Sequence, residues 1–167
     1  MAAEIVEEII GRLLREKGWR IAIAESCTGG LISHRITNLS GSSDYFESGI
    51  VSYSNEAKIE LLRIPEETLK TYGAVSSQTA TAMAEGIRIA RNTDIGLGVT
   101  GIAGPKGGNA TKPVGLVYIA LSSPSCVEYK EFRFTGDRGE IKLKTSEAAL
   151  EMLKIRLEKQ SSHHHLS

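Results

Sequence analysis

Three observations predict the fold class of this chain. Apolar residues recur at helical spacing in several segments, with short strand-like apolar runs between them. The last two of those runs lie close enough in sequence to form a hairpin, and 167 residues is the length of one domain with one core. Together they predict an α/β protein, a three-layer α/β/α sandwich in a single domain, whose mixed sheet is mostly parallel with an antiparallel portion. In open sheets of this kind ligands bind beyond the carboxyl ends of the strands.

The elements follow in order. Val6, Ile9, Ile10, Leu13 and Leu14 share a face, with Glu7, Glu8, Arg12 and Arg15 between them, predicting an amphipathic helix over about 3–17 that Gly18 stops. Residues 20–24 (RIAIA) read as a strand, 25–30 (ESCTGG) as a polar turn, and 31–36 (LISHRI) as the start of a helix. A second strand is predicted at 48–53 (SGIVSY), a short helix at 55–62, and a turn at Pro65 whose Glu66 and Glu67 suit a first helical turn. Ser77 can cap a helix with Ala80, Met83, Ala84, Ile87 and Ala90 on its buried stripe, ending near Asn92. Residues 94–100 (DIGLGVT) form a strand with one branched face and one nearly bare face. Strands at 114–121 and 127–134 form the hairpin, and a final helix starts near Asp137, with Leu143, Leu150, Leu153 and Leu157 on one stripe. No repeat or linker interrupts residues 1–160, which are read as one domain.

Composition narrows the function. Twenty basic side chains balance twenty acidic ones, so no surplus of positive charge marks a nucleic-acid binder, although a local basic pocket remains open. Cys27 and Cys126 lie far apart and form no C-x-x-C pair, so neither a zinc ribbon nor a disulfide framework is expected. No apolar run approaches the roughly 18 residues that span a bilayer, and acidic residues stand near the start where a signal peptide would be basic. A cytoplasmic protein with no membrane partner is expected. Residues 161–167 carry His163, His164 and His165 beyond the last helical pattern; they are read as a tag-like or disordered tail, set apart from the functional argument.

Three polar loops fall where the ligand crevice is expected. Ser26, Cys27 and Thr28 place three potential nucleophiles between a strand and a helix, where Gly29 and Gly30 let a ligand approach the backbone. Such a turn suits an oxyanion or a phosphate. Equally, Ser26 or Thr28 could simply cap the helix while Cys27 packs inside. Tyr53 and Lys58 flank Asn55 at the next strand-to-helix junction. Lys58 becomes a general base if burial lowers its pKa, and Tyr53 could relay a proton; otherwise they are an exposed cation and a strand aromatic. No local S-x-x-K signature joins Ser26 to a lysine, since Gly29 stands three residues on, so any Ser–Lys pair must assemble through the fold.

Residues 96–101 match G-x-G-x-x-G by letter, but these glycines begin inside a strand and no apolar helix follows, so the dinucleotide fingerprint fails its context. What survives is a glycine-rich loop, 101–108, beside Thr100. Asp137 is a plausible N-cap, which places Arg138 in the first helical turn, where a cation is disfavoured unless something anionic compensates. Arg also clamps phosphate well. His34 has no partner at ligand spacing, and no metal is expected.

Read together, AESCTGG (24–30), GSSDYFESGIVSYSNEAK (41–58), GAVS (73–76), GIAGPKGG with KPVG (101–108 and 112–115) and FTGDR (134–138) resemble the C-terminal domain of the CinA competence/damage-inducible family, the nicotinamide mononucleotide deamidase family. The motifs occur in order over almost the whole chain. The resemblance implies an amidohydrolase that turns nicotinamide mononucleotide into nicotinate mononucleotide and ammonia in pyridine nucleotide salvage, without metal or other cofactor. It implies Ser26 as nucleophile, Lys58 as its base and Tyr53 assisting proton transfer. Thr28, Gly29, Gly30, Asn55, Thr100, Gly101 and Arg138 would bind the substrate, with helix-start N–H groups stabilising the oxyanion. It also implies a homo-oligomer, most simply a dimer. Larger relatives carry an additional N-terminal domain similar to molybdopterin-binding proteins, and the chain is expected to represent the deamidase-like domain alone. Two other functions stand beside the deamidase: a catalytically silent nucleotide-binding regulatory module, which would keep the glycine loops and have no need of Lys58, and a serine amidase for another small amide, which would share the catalytic residues.

Overall fold

The computed structural model describes residues 3–162. Its elements, in order, are α1 (Val6–Lys17), β1 (Ile21–Glu25), α2 (Leu31–Thr37), β2 (Phe46–Val51), α3 (Asn55–Leu62), α4 (Glu66–Tyr72), α5 (Ser77–Arg91), β3 (Ile95–Gly101), β4 (Leu116–Ser123), β5 (Cys126–Arg133) and α6 (Arg138–Ser162). They form a five-stranded mixed sheet in the order β2-β1-β3-β4-β5. β1 pairs in parallel with β2 and β3, whereas β3–β4 and β4–β5 are antiparallel. Four of the five strands therefore run in one direction and only β4 opposes them. The three-layer α/β sandwich expected from the sequence is the fold observed.

Each face of the sheet is set by strand alternation. Ile21, Ile23, Ile95, Leu97, Val99, Val117, Ile119 and Leu121 point to one side, where α1, α2 and α6 bury Ile10, Leu14, Ile32, Ile36, Leu150 and Leu153 against them. The opposite face presents Ala22, Ala24 and Ala120 to Leu62, Ile64, Leu69, Met83, Ile87 and the alanines of α5. The bare face of β3 explains itself here: side chains on Gly96 or Gly98 would collide with the α5 backbone at Ala84 and Ala80. Helix α5 thus lies directly on the strand.

Several boundaries differ from the expectation, each for a local reason. β2 ends at Val51 and not at Tyr53, because the carbonyls of Ser52 and Tyr53 turn to Lys58. Ser76, one residue before the expected cap, accepts the Thr79 N–H and starts α5. Leu143 is not on the buried stripe of α6; it is 52% exposed because it sits about 200° around the helix from buried Ile141. Asp137 does cap α6 by accepting the Glu140 N–H, and Glu140 accepts the Asp137 N–H in return. Helix α6 continues through Ser162, into the segment expected as tail, while His163, His164 and His165 lie outside the described residues. Among the described residues no helix is long and apolar enough to cross a membrane.

Gly98→Ala tests the contact between α5 and β3. The added methyl would meet Ala80 O at 2.5 Å and Ala84 N at 2.6 Å, both backbone atoms that cannot swing away. The variant is expected to lose at least about 1–3 kcal/mol of stability in urea unfolding, and an unchanged midpoint would refute the close approach.

Candidate active site

Because β1, β2, β3 and β5 share a direction, the loops that follow them emerge at one edge of the sheet. Ser26, Tyr53 and Lys58 stand there. Lys58, on the first turn of α3, reaches back toward the sheet, and its Nζ lies 3.1 Å from Ser26 Oγ. The same nitrogen is 2.7 Å from the Ser52 carbonyl and 3.2 Å from the Tyr53 carbonyl. Ser54 starts α3 by accepting the Ala57 N–H, which fixes the turn from which Lys58 departs.

Burial gives this contact its chemistry. Lys58 is 1% exposed, Ser26 is 8% exposed, and no carboxylate pairs with Lys58 among the described residues. Removal from water pushes the Lys58 pKa below its ordinary value, with only the nearby Cys27 sulfur acting in the other direction. A neutral amine fits the three contacts well. Its two hydrogens satisfy the Ser52 and Tyr53 carbonyls, leaving the lone pair to accept the Ser26 hydroxyl proton.

The three possible nucleophiles are now distinguishable. Cys27 is buried in the core beneath α2, and burial, helped by the Glu25 carboxylate, pushes its thiol up to about 12. Thr28 is buried as well, with its hydroxyl donating to Glu25 Oε1 at 2.6 Å. Only Ser26 faces the amine.

Glu25 has a role that the sequence reading did not assign. It is the last residue of β1 rather than part of the turn, and its buried carboxylate accepts from Thr28 Oγ1, the Ile32 and Ser33 N–H groups and Ser33 Oγ. It caps α2 from a distance. The sequence held one signal for this, because Gly30 occupies the N-cap position and has no side chain to do the capping. The finding corrects the expected oxyanion site: the N–H groups of Ile32 and Ser33 are occupied, and Leu31 N–H donates to Thr28 O. The amides of Thr28 and Gly30 carry no hydrogen bond to the described residues. Gly29 and Gly30 both hold positive φ, 59° and 98°, a turn that side-chain-bearing residues rarely adopt.

The remaining expected binding residues divide into two groups. Arg138 reaches across the site edge, donating to Gly104 O at 2.7 Å and to Tyr53 Oη at 2.8 Å, so it joins the loop after β3 to the loop after β2. Tyr53 reaches Lys58 through its backbone carbonyl, while its ring is 59% exposed and its hydroxyl lies with Arg138. Thr100 is buried and its hydroxyl donates to Ala74 O, so it anchors the loop before α5. Gly101 is required by packing, since a side chain there would press on Val117 and Leu116 of β4. Asn55 is exposed on α3, with no hydrogen bond from its side chain to the described residues. A separate groove of about 500 Å³ lined by Phe134, Leu143, Lys144, Glu147, Ala148 and Glu151 contains none of these residues.

Comparison with known proteins shows the family. The CinA C-terminal domain profile matches residues 3–157, nearly the whole chain. The chain belongs to the CinA C-terminal domain family. It is 53% identical over 149 residues to a CinA-like protein of Dictyoglomus turgidum, and 51% identical over 154 residues to one of Geotalea uraniireducens. These alignments cover 89% and 92% of this chain but 36% and 37% of the relatives, so the chain spans little more than a third of their length. Among solved CinA-family structures, the competence/damage-inducible protein CihA of Agrobacterium tumefaciens superposes with a TM-score of 0.86 at 43% identity, covering 95% of this chain and 99% of that one. The competence damage-inducible protein A of Klebsiella pneumoniae gives 0.88 at 33% identity, covering 93% and 98%.

Glu25→Gln tests the remote cap. The amide would turn a donor toward at least one of four donors, and unfolding experiments are expected to show a loss of about 1–3 kcal/mol. Stability equal to the wild type would refute the role of the carboxylate in holding the turn.

Proposed function

We propose that this CinA-family domain is a serine amidohydrolase acting on nicotinamide mononucleotide, releasing ammonia and nicotinate mononucleotide. The observation that carries the reading is the contact of Lys58 Nζ with Ser26 Oγ at 3.1 Å, inside a site that shields the amine from water. A silent nucleotide-binding module would gain nothing from burying an unpaired amine against a serine, because that burial costs stability.

The chemistry balances with these two residues and one water. Lys58 accepts the proton of the Ser26 hydroxyl as Oγ forms a bond to the carboxamide carbon. The tetrahedral oxyanion is stabilised by backbone amides of the 26–30 turn, with those of Thr28 and Gly30 free to donate. Lys58 then gives its proton to the departing nitrogen, ammonia leaves, and an ester to Ser26 remains. Water, deprotonated by the same amine, attacks the ester, and the proton returns to Ser26. The electron-withdrawing pyridinium ring makes this carboxamide more electrophilic than an ordinary one. No step calls on a metal, so the activity persists in chelator. Arg138 and Tyr53 close the outer side of the site, where the nucleotide lies.

Purified protein is expected to release ammonia from nicotinamide mononucleotide, Ser26→Ala to abolish that release, and Lys58→Ala to lower kcat by about 10²–10⁴-fold. Full turnover by Ser26→Ala would overturn the mechanism; ammonia release from unrelated amides at equal efficiency would overturn the substrate.

The pH dependence is a separate test. Since the neutral amine is the active form and burial lowers its pKa, kcat/KM should rise with pH through one ionisation below the ordinary lysine value of about 10.4. A rate that is flat across the alkaline range, or a midpoint at or above that value, would contradict Lys58 as the base.

A further inference from the structure

Lys142 was not among the residues expected from the sequence, yet it stands beside the catalytic turn. It lies four residues after Arg138 on α6, so the two cations share a face of the helix. A methyl group added to Gly29 would come within 3.4 Å of Lys142 Nζ, which places the ammonium directly against the Gly29–Gly30 turn. Its charge is also felt at the Cys27 sulfur beneath that turn. Lys142 is half-buried and makes no ion pair or hydrogen bond among the described residues.

Its neighbour is equally uncompensated. Arg138 meets two neutral acceptors, the Gly104 carbonyl and the Tyr53 hydroxyl, and it stands in the first turn of α6, where the helix dipole disfavours a cation. Some cations elsewhere in the fold find carboxylates, as Arg20 and Arg91 do with Glu47, whereas Lys112 and Lys144 each donate to a backbone carbonyl; Lys142 has neither kind of partner among the described residues. Two unneutralised cations that converge on the rim of a nucleophile's turn call for an anion. The exposed, side-chain-free backbone of Gly29 leaves room for one to approach.

We propose that Lys142 reads the phosphate of the substrate: its ammonium pairs with the 5′-phosphate monoester of the nucleotide, while Arg138 braces the outer wall of the site. The inference rests on the mononucleotide reading above and adds the residue that distinguishes a nucleotide from its nucleoside. An ammonium–phosphate contact of this kind is worth one to two orders of magnitude in binding.

The test compares wild type, Lys142→Ala and Lys142→Arg. With nicotinamide mononucleotide as substrate, Lys142→Ala should raise KM about tenfold to hundredfold with kcat little changed, and Lys142→Arg should recover most of the loss. Preference for the mononucleotide over its riboside, as a ratio of kcat/KM, should fall by a similar factor. A ratio equal to that of wild type, or a loss carried by kcat, would overturn the assignment. Inorganic phosphate supplies a readout independent of turnover. Its titration should shift the Gly29 and Gly30 amide resonances of the wild type, and shift them far less in a Lys142→Ala protein whose remaining spectrum is native. If the wild type hydrolyses no mononucleotide but shows these Lys142-dependent shifts, the amidase reading fails and the anion site stands. If phosphate leaves the wild-type resonances unmoved, Lys142 is not the phosphate-reading residue.

Discussion

An amine removed from water without a carboxylate to pair with it is the constraint around which this site is built. Placing a lone ammonium in a protein interior costs several kcal/mol even after relaxation, and Lys58 has three oxygens, none of them a formal anion, to offset it. The chain meets that cost partly by making the neutral form easier to reach. Because the unfolded chain holds the Lys58 proton more tightly than the native one, stability increases as pH rises from the lowered native value toward the ordinary lysine value. The rest of the stability comes from two apolar layers, one on each side of the sheet, which have no need to accommodate polar chemistry. Site and core are thus segregated, with the reactive groups confined to the strand ends.

Glu25 supplies the complementary half of the arrangement. Its carboxylate gathers four donors, holds Thr28 and the beginning of α2, and does so on the side of β1 away from Lys58. The serine that follows it is left with the amine as its partner. A carboxylate and an amine are therefore placed on either side of one turn without pairing with each other. Had Glu25 reached Lys58, the pair would have favoured the ammonium and raised its pKa, putting the neutral amine further out of reach.

Much of this could be read from the sequence, and what could not shares a physical cause. The alternation in IGLGVTG, the amphipathic run ending at Gly18 and the short helix 55–62 are local patterns, and local patterns determine local structure. The motif loops were legible for the same reason, since strand ends in a parallel arrangement converge whatever their side chains. Residues whose part depends on a distant partner were harder. Glu25 looks like a turn residue until Ile32 and Ser33 are seen to lack a cap of their own. The partners of Thr100 and Tyr53 were equally hidden, since Ala74 O lies 26 residues from the one and Arg138 lies 85 residues from the other. Lys142 carries no motif at all. Its position matters only because α6 begins beside a turn more than a hundred residues earlier.

That meeting is a matter of parity. A chain leaving β3 at the site edge must come back to that edge before it can deliver α6 there, and a single further strand would bring it to the opposite end of the sheet. β4 takes the chain away and β5 returns it, so the hairpin acts as a round trip. Its exposed outer strand contributes little to the core, and its turn touches none of the reactive groups. Its contribution is topological: two reversals instead of one decide that the basic start of the last helix faces the serine rather than the far side of the molecule.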